Sequence, residues 1–176
     1  SMTVTEDAPA AVSAASEPPA AVPANTGLAA ILGSGDHKVV GRLWIVASLF
    51  HLLLAGAAAL AVALERIDLS GVDVLDAEWF GPLYAYRSVG MAFLFLLPLT
   101  IGVATAIVPL QVGASTLAFP RAATAAAWSY LLAGGLLVGS ILIEGGPYGT
   151  DVDGVRLFVV SFAFVLVAQA VAWVCI

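Results

Sequence analysis

Residues 43 to 64 read LWIVASLFHLLLAGAAALAVAL, from Leu43 to Leu64, with no Asp, Glu, Lys or Arg and one ionisable intruder, His51. A helix of about 20 predominantly apolar residues is long enough to cross the hydrocarbon core of a bilayer. A soluble protein has nowhere to hide a helix that is apolar on every face. Three more segments of this kind follow, at about 88–108, 122–143 and 157–176. The second contains Pro98 and has Pro109 close after its end. The expected fold is all-α: an integral membrane bundle of about four transmembrane helices over 34–176.

Composition supports this reading. Of 176 residues, 61% are hydrophobic and 10% charged, and the mean hydropathy is +1.04. A soluble domain of this size carries about 25% charged residues. The net charge of −6 is confined to loops and termini. No basic stripe is present, so no nucleic-acid partner is expected. The single cysteine, Cys175, cannot form an internal disulfide, and one thiol makes no metal site.

Residues 1–33 form an Ala/Pro-rich stretch poor in bulky apolar side chains. Such a composition cannot bury enough surface to offset its ordering entropy, so a disordered cytoplasmic tail is expected. It has neither a basic start nor a compact apolar core, so it is not a signal peptide. The first span should then be uncleaved and act as the insertion signal. At the other end, the fourth span is still apolar at Ile176, with no charged or aromatic anchor after it. A piece of a longer chain would look like that.

Charge in the connections sets the expected orientation. Lys38 and Arg42 precede the first span, and Arg121 lies in the turn between the second and third. The loop after the first span holds Glu65, Arg66, Asp68, Asp73, Asp76, Glu78 and Arg87. The last loop holds Glu144, Asp151, Asp153 and Arg156. The N-terminus is therefore expected in the cytoplasm of a bacterial-type plasma membrane, with acidic loops outside. Gly135 and Gly139 form a GxxxG pair in the third span, and Gly56 sits among alanines in the first. Both features predict close helix packing, within the bundle or by self-association.

Several runs resemble one family. Asp36-His37-Lys38-Val39-Val40-Gly41 is similar to the DHKxIG entry to the first helix of haem-copper oxidase subunit I, the catalytic subunit of cytochrome c oxidase. Phe93-Leu94-Phe95, Pro98, Gly102 and Val108-Pro109-Leu110-Gln111-Val112-Gly113-Ala114 resemble its FLF…P…G…VPLQIGA. Ala118-Phe119-Pro120-Arg121 resembles its AFPR, and Gly134-Gly135 falls where the family also carries glycines. The resemblance covers about 36–176. It implies the first four of the family's roughly twelve helices, and a place among the subunits of a respiratory membrane complex.

The resemblance also locates what is missing. The family's helix-two haem ligand is the histidine of MHGTIMLFLF, and the matching stretch here is Tyr86-Arg87-Ser88-Val89-Gly90-Met91-Ala92-Phe93-Leu94-Phe95. Arg87 stands at the ligand position. Iron needs a lone pair, and a permanently protonated guanidinium has none to give. A ligand swap to Tyr86 or Tyr84 is the alternative that would rescue haem binding. The arginine of the family's IRAEL corresponds to Ala63. In the proton entrance GAPDMAFPRLN the aspartate corresponds to Thr116 and the asparagine to Ala123, and the asparagine of GLANYLVP corresponds to Thr105. The family's copper ligands lie in later helices. Neither haem, copper nor another metal is expected on this chain, and no catalytic residue is assigned.

Arg87 is expected at the outer start of the second span, paired with Asp76 or Glu78. Alternatively it fills the vacated haem space, or holds a lipid headgroup or a partner's carboxylate. His51, the ionisable side chain deep in a helix, is the candidate intramembrane functional residue. It has three readings: a bond to a neighbouring helix, proton or quinone chemistry, or a haem or metal ligand completed by a partner. His37 reads as a helix cap or headgroup contact. Gln111 and Arg121 are expected to fix the inner turn, and Gln169 to hydrogen-bond across the bundle.

Three functions compete: a non-catalytic structural or assembly subunit of a respiratory complex; the N-terminal fragment of an active oxidase with unusual haem ligation; and an independent oligomeric membrane protein binding lipid or quinone.

Overall fold

The computed structural model describes residues 34–67 and 75–176. The expected tail over 1–33, and Asp68 and Asp73, lie outside those residues. The described chain is all helical, and four of its helices are long and apolar enough to cross a membrane. Helix α1 is His37–Glu65. Helix α2, Ala77–Val89, passes into a π-helical segment, Gly90–Leu96, and then into α3, Leu97–Gln111. Helices α4, Pro120–Leu142, and α5, Val152–Cys175, complete the bundle.

The spans alternate in direction. Gly41 at the start of α1 faces Gly102 in α3, and Ala55 faces Gly90. Ser34, just before α1, accepts a hydrogen bond through its carbonyl from Thr124 Oγ1 at the start of α4 (2.7 Å). At the opposite end, Tyr148 in the last loop packs on Gly81 of α2. One end carries Lys38, Arg42 and Arg121 with the single acid Asp36; the other carries Glu65, Asp76, Glu78, Glu144, Asp151 and Asp153 with Arg66 and Arg156.

Helices α1 and α5 begin where side chains satisfy orphan N–H groups. The Asp36 carboxylate accepts from Lys38 N (2.9 Å), and the Asp151 carboxylate accepts from Gly154 N (2.7 Å). His37 lies next to the first of these caps and does not make it. Its Nδ1 is 3.6 Å from Asp36 Oδ1, and its side chain is buried.

The inner turn over 112–119 corrects the expectation for Gln111 and Arg121, both of which point to the outside. Backbone closes this turn instead. Gly113 takes φ +70, a left-handed conformation that glycine adopts without strain. The Ala114 N–H reaches back to the Pro109 carbonyl (2.9 Å), the bond that caps a helix C-terminus in a Schellman motif.

The second span departs furthest from expectation. It starts at Ala77, not near residue 88, and runs to Gln111. Gly81 and Pro82 look like breakers in sequence. Here Gly81 gives the Tyr148 backbone room to pack, and an added Cβ would stand 2.9 Å from the Tyr148 carbonyl oxygen. The extra turns carry Trp79 and Tyr84, side chains that favour a membrane interface.

The π-helical segment follows from Pro98. With no N–H, Pro98 cannot serve the carbonyl four residues back, Leu94, nor the one five back, Phe93. Bilayer offers no water to replace the missing donor. Two side chains from other spans supply it: the Tyr130 hydroxyl of α4 donates to the Leu94 carbonyl (2.6 Å), and the Gln169 amide of α5 donates to the Phe93 carbonyl. Gln169 thus bonds across the bundle as expected.

Candidate functional site

Around His51 three spans converge. His51 is the middle residue of α1, fourteen residues from either end, which is about 21 Å of helix each way. It is 3% exposed. Its Nδ1 is 3.5 Å from the Tyr86 hydroxyl, a distance at the long limit of a hydrogen bond. Its ring meets that of Tyr130 edge-on at 6.0 Å between centroids, and Tyr130 stacks on Trp44 at 4.5 Å. Nε2 lies over the α4 backbone at Gly134, where an added Cβ would stand 2.9 Å from it. His51, Tyr86, Tyr130 and Gly134 therefore make one buried group at mid-bundle. In the sequence His51 stood out as the intramembrane candidate, Tyr86 only as a substitute haem ligand, and Gly134 only as a glycine shared with the family. Tyr130 looks like an ordinary bundle residue until Pro98 and the helix register are considered.

The small residues that bring the spans together are not the expected ones. Gly41 and Gly102 face each other: a Cβ on Gly41 would stand 2.8 Å from the Gly102 carbonyl oxygen, and one on Gly102 2.9 Å from that of Gly41. Side chains there would push the backbones apart. A Cβ on Gly56, Gly135 or Gly139 would meet nothing within 4 Å. Those three point out of the bundle, so the GxxxG pair does not pack α4 against this chain's other spans.

Arg87 also departs from expectation. It lies ten residues past Ala77, about 15 Å along the helix, rather than at its start. It is half-buried and forms no ion pair with Asp76 or Glu78; its guanidinium carbon sits 4.6 Å from the centroid of the Tyr84 ring. Tyr84 in turn stacks on Phe80 (6.1 Å) and meets Tyr148 (6.5 Å). A cation over an aromatic face contributes about 0.5–1 kcal/mol where water reaches it, and more when desolvated.

The remaining positions scatter. Ala63 is exposed on the last turns of α1, and Thr116 is exposed in the inner turn. Thr105 and Ala123 are buried. Cys175 is a free, buried thiol. None of these joins the His51 group.

Comparison with known proteins agrees with the architecture. The family described as "Cytochrome C and Quinol oxidase polypeptide I" matches residues 39–176. A Streptomyces avermitilis protein described as "Putative cytochrome c oxidase subunit 1-beta" is 33% identical over 116 residues. That match covers 66% of this chain but 20% of the relative's own length. With four membrane-capable helices and a family match over nearly all of them, this chain is a multi-pass membrane protein of the cytochrome c and quinol oxidase polypeptide I family.

Proposed function

We propose that this chain is a non-catalytic member of its family, a structural or assembly subunit of a respiratory complex in a bacterial plasma membrane, with its N-terminus and the Lys38/Arg42/Arg121 end in the cytoplasm. The observation that carries the reading is Arg87. In the register of the sequence resemblance Arg87 falls at the family's helix-two haem-ligand position, and its guanidinium is half-buried over the Tyr84 ring. It has no lone pair for iron. The two tyrosines that could replace it are engaged elsewhere. Tyr86 is turned toward His51 inside the bundle, and the face of Tyr84 lies under Arg87. The residues present do not fit a haem iron at this position. The substitutions at Ala63, Thr116 and Ala123 point the same way, because they remove a haem-edge cation and the titratable entrance group while the packing motifs remain.

Membership in a respiratory complex rests on the family match and on the named relative. That relative is about five times the length this chain covers. The short coverage favours a second reading, that the chain is the N-terminal portion of an active subunit with unusual ligation.

Haem loading separates the two. Chain purified from cells supplied with haem should show no low-spin Soret band, and Arg87→His should show one if the cavity persists. It should also co-purify with other membrane subunits of the complex. Stoichiometric haem on the unaltered chain, lost on Tyr86→Phe or Tyr84→Phe, would establish the second reading.

A further inference from the structure

We propose that the seam between α1 and α4 binds a neutral, hydroxyl-bearing hydrophobe dissolved in the bilayer, anchored by His51 Nε2. This does not rest on the functional reading above.

Two clefts lie along that seam, each of about 300 Å³. One is lined by His51, Phe50, Leu131 and Gly135, the other by Ala58, Tyr86 and Ile141. Leu54 and Val138 line both, so the two clefts adjoin. The walls are almost wholly hydrocarbon. The polar side chains among the lining residues are those of His51 and Tyr86.

His51 Nε2 has no protein hydrogen-bond partner among the described residues. It is not sealed among packed atoms either; the fully enclosed unpartnered side-chain nitrogens are those of His37 and Trp128. A buried ring nitrogen left without a partner is destabilising in an apolar medium, so a molecule that bonds it gains that energy.

Depth, polarity and tautomer narrow the occupant. His51 is at the middle of its span, about 15 Å from where the hydrocarbon gives way to headgroups. Phospholipid headgroups do not reach that level, and a charged ligand would be excluded by the apolar walls. A buried water typically makes about three hydrogen bonds, and the polar side chains here are two, His51 and Tyr86, already directed at each other. A neutral hydrophobe meets all three conditions. Whether Nε2 donates or accepts depends on the tautomer set by the Tyr86 contact. A hydroxyl can do either, whereas a ketone or ether can only accept.

The test uses the full chain in lipid nanodiscs. An octanol carrying a diazirine is photoactivated and its attachment sites are mapped by mass spectrometry. Saturable labelling is expected at the α1–α4 seam, competed by unlabelled octanol, while the matching diazirine-octane labels without saturation. His51→Phe should reduce the saturable labelling about tenfold, the equivalent of one hydrogen bond of about 1.4 kcal/mol. Gly135→Leu should abolish it by filling the cleft; its side chain starts in open space, so the bundle stays folded. Equal labelling by the octane, labelling that survives folded Gly135→Leu, or labelling indifferent to His51→Phe overturns the proposal. So does efficient disulfide formation between two Gly135→Cys chains, which would show that a second copy covers the seam.

Discussion

Removing the Tyr130 hydroxyl should destabilise the bundle by an amount that vanishes when Pro98 is removed as well. Tyr130→Phe keeps the ring stacked on Trp44 at 4.5 Å and deletes the donor to the Leu94 carbonyl at 2.6 Å. A buried acceptor stripped of its partner loses about 1–3 kcal/mol. Side-chain hydrogen bonds inside membranes measure lower, averaging about 0.6 and reaching about 1.7 kcal/mol. The expected destabilisation is therefore about 1 kcal/mol. Pro98→Ala restores an N–H at the position from which an α-helical ladder reaches Leu94, and α-geometry should replace the π-helical segment. In that background Tyr130→Phe should be close to neutral. The assay is a double-mutant cycle on reversible unfolding in mixed micelles, with a coupling energy near 1 kcal/mol expected. If the two substitutions are additive within about 0.3 kcal/mol, Pro98 is not why Tyr130 holds that carbonyl.

Three further outcomes follow from the geometry. Gly102→Val should push α1 and α3 apart, since even a Cβ there meets the Gly41 carbonyl oxygen at 2.9 Å; a loss of about 1–3 kcal/mol should appear as a lower thermal midpoint, whereas Gly56→Val and Gly139→Val should stay within about 0.5 kcal/mol. Asp151→Ala removes the carboxylate that accepts from Gly154 N and should lower stability by about 1 kcal/mol in the same measurement, with Asp151→Asn recovering most of it. Replacing Tyr84 by Leu removes the ring beneath Arg87. It should destabilise by about 0.5–1 kcal/mol when Arg87 is present and by clearly less in an Arg87→Met chain; equal effects in both would rule out the cation–ring contact as the source.

The length and uniform apolarity of the segments around His51, Pro98, Gly134 and Gln169 were enough to establish helices across a bilayer. Hydrocarbon thickness sets a minimum length, and lipid leaves the backbone no hydrogen-bonding partner but itself. The resemblance that matches Arg87 to the family's ligand position likewise uses only register against Phe93-Leu94-Phe95. What linear sequence could not decide was direction around each helix. Glycines one residue apart, such as Gly134 and Gly135, look alike in a string and lie about 100° apart on the helix. One meets His51 and the other faces outward. Likewise, the start of the second span depends on Tyr148, more than sixty residues away, seating itself on Gly81. The partners of Pro98's orphaned carbonyls come from two different helices. Local sequence settles which residues are helical and how deep they lie. Which faces meet, and so which polar atoms are left facing the seam, is set by contacts between residues far apart in the chain, and only the assembled bundle contains them.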